Sequence, residues 1–216
     1  METISIIGGT GNQGKGLALR LGMAGYPIIL GSRSSEKAIK VTREIKEEYP
    51  DINIEGVDNE TAAERGDIVI MTIPFNSQRD IVEPLKEKLR NKIVVDTTVA
   101  LIPGKPPTTE SVPEGSAAER LQSIVGPDVQ VISAFHTISA HLLENMNKAL
   151  EEDTLVAGDD KSAKEKVIEL ANNIGLRGLN AGPLKISSTL ERITALVIGM
   201  NIRYKKKSIG VHFSNI

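Results

Sequence analysis

Short apolar runs alternate along the chain with stretches in which apolar residues recur at helical spacing. The runs predict buried strands at residues 3–7, 27–30, 52–57, 67–73, 93–96, 129–133, 154–158 and 176–179. The helical spacing is clearest over residues 36–49, 76–90, 161–174 and 184–204. This alternation predicts an α/β fold with a doubly wound, Rossmann-type parallel sheet and right-handed crossovers.

A break at Gly182-Pro183 divides the predicted fold into two parts. We expect residues 1–180 to form a Rossmann-like dinucleotide-binding domain. Residues 181–216 would form a small C-terminal helical segment that completes the active-site cleft. The predicted helix there has too many large apolar residues for one buried face, so we expect it to contact a second subunit. Residues 97–115 hold four prolines and two glycines and are predicted to be a functional or mobile loop.

A glycine-rich turn separates the first apolar run from the first helical pattern. Its glycines, Gly9, Gly11 and Gly14, have Gly-X-Gly-X-X-Gly spacing. In dinucleotide-binding folds the first permits a tight turn, the second lets the backbone approach a pyrophosphate, and the third lets the helix pack near the strand. The start of the helix then offers free N–H groups to phosphates. The sequence therefore predicts a dinucleotide site, with a glycine turn that binds nothing as the alternative.

The residues after the second predicted strand indicate which dinucleotide binds. NAD-binding folds carry an Asp or Glu about 20 residues beyond the glycines, where it holds the ribose 2′-hydroxyl. This chain has Ser32 and Arg33 there, and a guanidinium pairs with a 2′-phosphate that a carboxylate would repel. Lys37 lies in the first turn of the next predicted helix, where lysine suits a bound anion better than the helix dipole. The sequence favours NADP; the alternative is NAD with Glu36 on the ribose.

Composition restricts the class of partner and the compartment. The net charge of −2 gives no reason to expect a nucleic-acid partner, and no apolar run is long enough to span a bilayer. The absence of cysteine excludes disulfides and thiolate chemistry and fits a cytoplasmic location. The first predicted strand follows the N-terminal methionine directly, so we expect no signal peptide. Because aromatic residues make up only 3% of the chain, a flat cofactor ring would rest on aliphatic side chains and backbone.

Other site classes are tested by the motifs they require. Short-chain dehydrogenases use a Tyr-X-X-X-Lys pair, but none of the three tyrosines has a lysine four residues later. A P-loop would require Ser or Thr after Lys15, where this chain has glycine. His136, His141 and Glu144 match no standard metal-site spacing. We therefore expect no metal.

His136 is the one polar side chain that we assign to the reacting centre. It follows a predicted strand and so lies at the carboxyl edge, where ligands of such sheets bind. A structural histidine is the alternative for His136 and is the interpretation of His141 and His212. The basic run at residues 205–207 is interpreted as a solvated helix end; in the alternative, Arg203 and these lysines meet an anionic substrate tail.

Five segments spread over nearly the whole chain carry a family resemblance. They are residues 8–20, Gly31-Ser32-Arg33, Thr72-Ile73-Pro74, His136-Thr137-Ile138 and Ala181-Gly182-Pro183-Leu184. In these segments the chain resembles the archaeal and actinobacterial NADPH-dependent reductases of the deazaflavin coenzyme F420. The resemblance implies reversible hydride transfer between the nicotinamide C4 and the deazaflavin C5. It also implies a cytoplasmic homodimer.

The resemblance further implies which residues bind each coenzyme. The pyrophosphate would be held by Thr10, Gly11, Asn12 and Gln13, and the 2′-phosphate by Ser32, Arg33 and Lys37. The nicotinamide pocket would be lined by Ile73, Ser77, Val99 and Ile138. The deazaflavin would contact His136, Thr194 and Ile209. Residues 97–116 depart from the family pattern.

Hydride transfer between two organic rings needs no protein nucleophile, metal or strong acid, because the coenzymes carry the chemistry. The protein has to hold the reacting carbons roughly 3–3.5 Å apart. His136 would then orient the deazaflavin by a hydrogen bond instead of acting as an acid. Two alternatives remain open. One is an NADP-dependent reductase of an imine, a ketone or a metal chelate, and the other is a non-catalytic NADP-sensing regulator.

Overall fold

The computed structural model describes all residues, Met1–Ile216. The strands are β1 (Ile4–Ile7), β2 (Ile28–Ser32), β3 (Ile54–Asp58), β4 (Ile68–Met71), β5 (Ile93–Asp96), β6 (Leu101–Ile102), β7 (Thr108–Thr109), β8 (Gln130–Ser133), β9 (Asp153–Gly158) and β10 (Arg177–Gly182). The α-helices are α1 (Asn12–Met23), α2 (Ser35–Glu48), α3 (Asn59–Arg65), α4 (Gln78–Val82), α5 (Ala117–Val125), α6 (Ala140–Glu144), α7 (Lys161–Asn173) and α8 (Ser187–Tyr204). None of these helices has the length and apolar character that crossing a membrane requires.

One eight-stranded sheet, in the order β10-β9-β8-β5-β4-β1-β2-β3, organises the molecule. The six strands from β3 to β8 in this order are parallel, as the Rossmann-type prediction requires. The strand order reverses between β1 and β4, whose carboxyl ends therefore flank a crevice. The Rossmann-like α/β fold is confirmed.

The expectation that every strand is parallel is wrong for the last two strands. β9 pairs antiparallel with β8, and β10 pairs parallel with β9. The connection from β8 to β9 contains only α6, a helix of five residues that is about 8 Å long. This connection packs against α1 through Arg20 and returns to the carboxyl end of β8, where the Phe135 N–H donates to the Thr154 hydroxyl. A parallel neighbour would instead need a crossover to the amino edge of the sheet. The amino ends of β9 and β10 therefore lie on the side of the crevice.

Apolar residues cover both faces of the central strands. Ile4 and Ile6 of β1 belong to one buried cluster, which includes residues of α1, α2 and α7. Ile7 belongs to the other cluster, which includes residues of α3 and α5. This division follows from the alternation of side chains along a strand. It explains why the strand sequences are continuous apolar runs.

The connecting segments differ most from the sequence-based expectations. Residues 97–115, predicted to be a functional or mobile loop without regular structure, contain the β6–β7 hairpin, with Leu101 opposite Thr109. The helix predicted over residues 76–90 is instead α4 between two 3-10 segments, Phe75–Ser77 and Glu83–Leu89. The change after α4 occurs at the proline of the second segment, which cannot continue α-helical hydrogen bonding. Helix α6 was not predicted.

Candidate functional site

The glycine turn after β1 is held by two hydrogen bonds and by close packing against a third segment. The Gly9 N–H donates to the carbonyl of Gly31 at 2.9 Å, and the Gly8 N–H donates to Oδ1 of Asn59 at 3.2 Å. Gly8 has φ +72°, and a Cβ there would lie 2.9 Å from the Thr72 carbonyl oxygen. The tight turn thus depends on Gly8 as well as Gly9. Sequence reasoning assigned the turn to Gly9 alone, although the adjacent glycine pair was the available signal.

Two further glycines shape the space in front of α1. A Cβ on Gly14 would lie 2.6 Å from Cα of Gly9, so only glycine allows the helix to pack this close to the turn. A Cβ on Gly11 would meet only the Gly8 carbonyl, at 3.7 Å. Gly11 is also the N-cap of α1 and provides no side-chain cap. The first N–H groups of α1 therefore face the crevice, where they suit an anion.

Thr10, Asn12 and Gln13 complete this edge of the crevice. Asn12 is exposed, whereas Thr10 and Gln13 are half-buried. The Gln13 side chain donates from Nε2 to the Phe135 carbonyl at 3.1 Å. Gln13 therefore links the start of α1 to the segment after β8, a contact across more than a hundred residues.

Ser32, Arg33 and Lys37 lie close together at the junction of β2 and α2. The Ser32 Oγ accepts from the Ser34 N–H at 3.3 Å, and the Ser34 Oγ caps α2 by accepting from the Lys37 N–H at 3.2 Å. The side chains of Arg33 and Lys37 are exposed and belong to none of the ion pairs of the structure. Two free cationic groups beside a helix N-terminus suit an anion such as a phosphate.

Three aliphatic side chains line the carboxyl edge beyond the glycine turn. Ile73 and Ile138 are buried, and Val99 is half-buried. The Thr98 hydroxyl oxygen lies 3.4 Å from the Ile73 carbonyl oxygen, which places the segment after β5 next to the segment after β4. Ser77, half-buried, ends the 3-10 segment that begins two residues earlier.

A cavity of about 420 Å³ lies beside this edge, between the segment after β8 and the helix α8. Its lining includes Gln13, His136, Ile138, Thr194 and Ile209. His136, Thr194 and Ile209 were the residues expected at the deazaflavin, and the structure brings them together. Gln13, expected at the pyrophosphate, and Ile138, expected at the nicotinamide, lie in the same cavity wall. Lys206 and Lys207 also line this cavity.

His136 is buried in the wall of this cavity, with neither ring nitrogen hydrogen-bonded. Burial lowers the pKa of His136 to about 4. The imidazole is therefore neutral near pH 7 and can donate from one ring nitrogen and accept at the other. A buried polar group without a partner calls for a functional explanation. Neither His141 nor Glu144 joins it in a metal-binding group.

The backbone before His136 has an unusual conformation. Phe135 is fully buried and has φ +63°, a left-handed conformation that is rare for a bulky residue. Its N–H donates to the Thr154 hydroxyl at 3.1 Å, and its carbonyl accepts from Gln13. The strain, roughly 1–3 kcal/mol, is held by these contacts at the residue immediately before His136. No feature of the sequence indicated this conformation.

A buried polar network behind Val99 was also missed by sequence reasoning. Asp96, at the end of β5, accepts from the Thr98 hydroxyl at 2.5 Å and from Nε2 of Gln78 at 3.2 Å. Burial raises the pKa of Asp96 to about 6. The Gln78 Oε1 accepts from Nε of Arg120 at 2.9 Å. Glu191 of α8 belongs to the same region, and burial raises its pKa to about 7. An acidic residue within a largely apolar helix was the available signal for Glu191.

Long-range polar contacts also hold the segments around the cavity. The buried guanidinium of Arg20 donates to carbonyls of the segment that contains α6. Asp153 pairs with Arg177 through two hydrogen bonds of 2.8 and 2.7 Å. Both side chains bind the backbone of the C-terminal tail at Phe213. The tail thereby lies against the crevice side of β9, with Ile209 in the cavity wall.

Comparisons with known proteins identify related sequences and structures. A family model described as NADP oxidoreductase, coenzyme F420-dependent, matches residues 3–100. The chain is 41% identical to the F420-dependent NADP reductase of Methanocaldococcus jannaschii, over 99% of this chain and 98% of that protein. It is 37% identical to the enzyme of that name from Methanothermobacter thermautotrophicus, over 99% and 95%.

The fold also matches solved structures. The crystal structure of an Arthrobacter sp. FB24 protein, described as an F420-dependent NADP reductase, superposes with a TM-score of 0.86. The match covers 100% of both chains at 21% identity, which supports the fold.

Proposed function

The chain belongs to the coenzyme F420-dependent NADP oxidoreductase family, and from this premise we propose that it transfers a hydride reversibly between NADP(H) and coenzyme F420. The family relationship rests on sequence identity over almost the full length of this chain and of its relatives. One coenzyme supplies the hydride and the other receives it. The protein supplies two adjoining binding sites and the orientation between them.

We propose that NADP binds along the carboxyl edge of β1 and β2. The backbone at Thr10, Gly11, Asn12 and Gln13 would hold the pyrophosphate, with Gly9 and Gly14 shaping the turn. The open space at Gly11 supports this, because a ligand backbone can approach there. Ser32, Arg33 and Lys37 would hold the 2′-phosphate. The free cationic groups of Arg33 and Lys37 support NADP over NAD.

The nicotinamide would rest against Ile73, Ser77, Val99 and Ile138, and the deazaflavin would contact His136, Thr194 and Ile209. Aliphatic walls of this kind exclude water and fix the face that each ring presents. His136 would orient the deazaflavin by a hydrogen bond from its neutral imidazole. Its lowered pKa argues against a role as a proton donor near pH 7. No metal ligand is part of this proposal.

The observation that carries the proposal is the cavity shared by residues expected at both coenzymes. A direct test is to mix the purified protein with NADPH and oxidised F420. The deazaflavin absorbance band should bleach while NADPH is consumed in equal amount, and NADH should react much more slowly. If both coenzymes bind but no bleaching occurs, the proposed reaction is wrong.

We also propose a homodimer in which the outer face of α8 contacts a second copy. On this face Leu196 is 63% exposed, and Met200 and Tyr204 are exposed as well. In this proposal residues 181–216 supply both the dimer contact and one wall of the cavity. A cytoplasmic location belongs to the same proposal and rests on the family alone.

Sedimentation analysis tests the dimer. The protein should sediment at twice its 23.3 kDa chain mass, and Leu196→Asp should shift it towards a monomer. A wild-type protein that stays monomeric at all concentrations would contradict the dimer but leave the reaction untouched.

A further inference from the structure

Glu191 is a carboxylate on the inner face of α8 that is only 2% exposed. It accepts hydrogen bonds from the Ala117 N–H at 2.8 Å and from the Ala100 N–H at 3.3 Å. No cationic side chain forms an ion pair with it. Burying a carboxyl group without a cation costs folding free energy, and burial raises its pKa to about 7. A residue that lowers the folding stability in this way should have a role that offsets the loss.

The two N–H donors mark the two ends of one segment. Ala100 follows Val99 at the start of the hairpin segment, and Ala117 is the first residue of α5, which follows that segment. A single carboxylate therefore joins both ends of the hairpin segment to α8. The Glu110 N–H donates to the Ala100 carbonyl at 2.8 Å. This bond ties the residue that follows β7 to Ala100 as well.

Val99 lies between two anchored residues. On one side Thr98 is held by Asp96, through its N–H at 3.1 Å and its hydroxyl at 2.5 Å. On the other side Ala100 is held by Glu191. Both anchors are buried carboxyl groups. The position of the Val99 side chain is therefore set from two directions.

The same helix also lines the cavity. Thr194 is three residues after Glu191, on the same face of α8, and it lines the cavity beside His136. A movement of α8 relative to the hairpin segment would change the spacing between Val99 and Thr194. Since a displacement of about 1 Å at a reacting pair can cost roughly a hundredfold in rate, this spacing matters for two-ring chemistry.

We propose that Glu191 is a positioning residue, which fixes the Val99 wall of the nicotinamide pocket relative to the α8 wall of the deazaflavin cavity. The inference rests on the proposed function, because it assigns the two walls to the two coenzymes. Glu191 contacts neither coenzyme. It acts through Ala100 and α8.

Glu191→Gln tests the proposal, because it keeps the side-chain size and turns one acceptor oxygen into an NH2 group. That group would face one of the two N–H donors, so one hydrogen bond is lost. We expect kcat to fall about tenfold to a hundredfold, the range associated with losing a hydrogen bond to a charged group. The dissociation constant of NADP should change less than about threefold, because the Arg33 and glycine-turn contacts are intact. Glu169→Gln on exposed α7 is the matched control and should change neither quantity.

A folded Glu191→Gln variant with unchanged kcat and a lower unfolding midpoint would overturn the proposal, because Glu191 would then only cap α5. If this variant does not fold, Glu191→Asp withdraws the carboxylate by one methylene and keeps the charge. It should show a smaller loss of kcat, again at constant NADP affinity; no loss of kcat would overturn the proposal. Failure of the wild-type protein to transfer hydride would instead count against the proposed function.

Discussion

The two sides of the crevice are built in different ways. On the side of β1 and β2, the backbone of a short glycine-rich stretch shapes the crevice. The glycines leave out side chains where the helix packs closely or where a ligand could approach. On the side of β8, β9 and α8, the shape comes from single polar side chains that reach distant backbone. Arg20, Glu191 and Asp153 each make such a contact. The first side is therefore encoded locally and the second by long-range pairs.

This difference predicts different responses to substitution. On the glycine side, substitutions that add atoms should lower stability or binding. On the α8 side, substitutions that remove atoms should lower stability or activity. Damage on the α8 side should also spare NADP binding, because the glycine turn and the Arg33 turn do not depend on those contacts. Four experiments test this contrast, in order of decreasing expected change in free energy.

Arg20→Ala should give the largest loss of stability. The Arg20 guanidinium donates to the carbonyls of Leu142, Leu143, Asn145 and Lys148 at 2.7–3.0 Å. Removing it leaves these acceptors without their donor, so the free energy of unfolding should fall by about 3–4 kcal/mol. Chemical denaturation measures this, with Arg43→Ala on the exposed face of α2 as a control. A loss below about 1 kcal/mol would show that the α6 segment does not depend on Arg20.

Glu191→Gln should change how stability depends on pH. The folded-state pKa of Glu191 is about 7, raised from its ordinary value of 4.5. The folded state therefore holds this proton more tightly than the unfolded chain. The resulting stabilisation is complete below pH 4.5 and is lost as the pH rises to about 7. The variant lacks this contribution, so its stability relative to the wild type should rise by about 3 kcal/mol over that interval.

Denaturation curves of both proteins at pH 4.5, 6 and 8 measure this difference. Asp96 is buried in both proteins, and its own titration should largely cancel in the comparison. A difference that is constant with pH would mean that Glu191 keeps an ordinary pKa.

Arg33→Ala should act on binding and leave the fold unchanged. The exposed guanidinium makes no contact that the fold needs, and losing a charged hydrogen bond costs roughly 1.5–3 kcal/mol. The affinity for NADP should therefore fall about 10- to 150-fold, while the affinity for NAD should barely change. Calorimetric titration with both nucleotides makes the comparison. Equal losses of affinity for NADP and NAD would mean that Arg33 does not bind the 2′-phosphate.

Gly14→Ala and Gly11→Ala form a pair on the glycine side. The added Cβ at Gly14 meets Cα of Gly9 at 2.6 Å, so stability should fall by roughly 1–3 kcal/mol, offset in part by alanine's helix propensity. At Gly11 the nearest atom is 3.7 Å away, so stability should hold and only NADP affinity should fall. Thermal unfolding and nucleotide titration of both variants separate packing from binding. A stable Gly14→Ala variant would refute the close-packing argument.

The contrast also explains what the sequence could predict. The strands β1, β2, β4 and β5 were predicted because their periodicity is continuous and local. The caps of α2 and α5 are equally local, because Ser34 and Ser116 each accept a hydrogen bond from the N–H three residues later. The glycine spacing predicted the turn, although it did not single out Gly8.

The structural features that the sequence did not predict depend on contacts between distant parts of the chain, which no local pattern encodes. The direction of β9 is set by the length and docking of the connection before it, and apolar runs look alike in parallel and antiparallel strands. The φ of Phe135 and the hydrogen bonds of Glu191 depend on partners far away in the chain. The buried stripe of α8 contains Glu191 and Thr194, whereas Leu196 and Met200 are exposed.

The reversed direction of β9 and β10 has a practical consequence for attaching fusion partners. Because their amino ends lie on the crevice side, the tail bound at Asp153 and Arg177 brings Ile216 to that side, with its carbonyl 3.5 Å from Arg177. Met1, just before β1, lies at the opposite edge of the sheet. A purification tag or fluorescent label appended to Ile216 would crowd the crevice side of the sheet, where we propose that the coenzymes bind, whereas one joined at Met1 would lie on the opposite side.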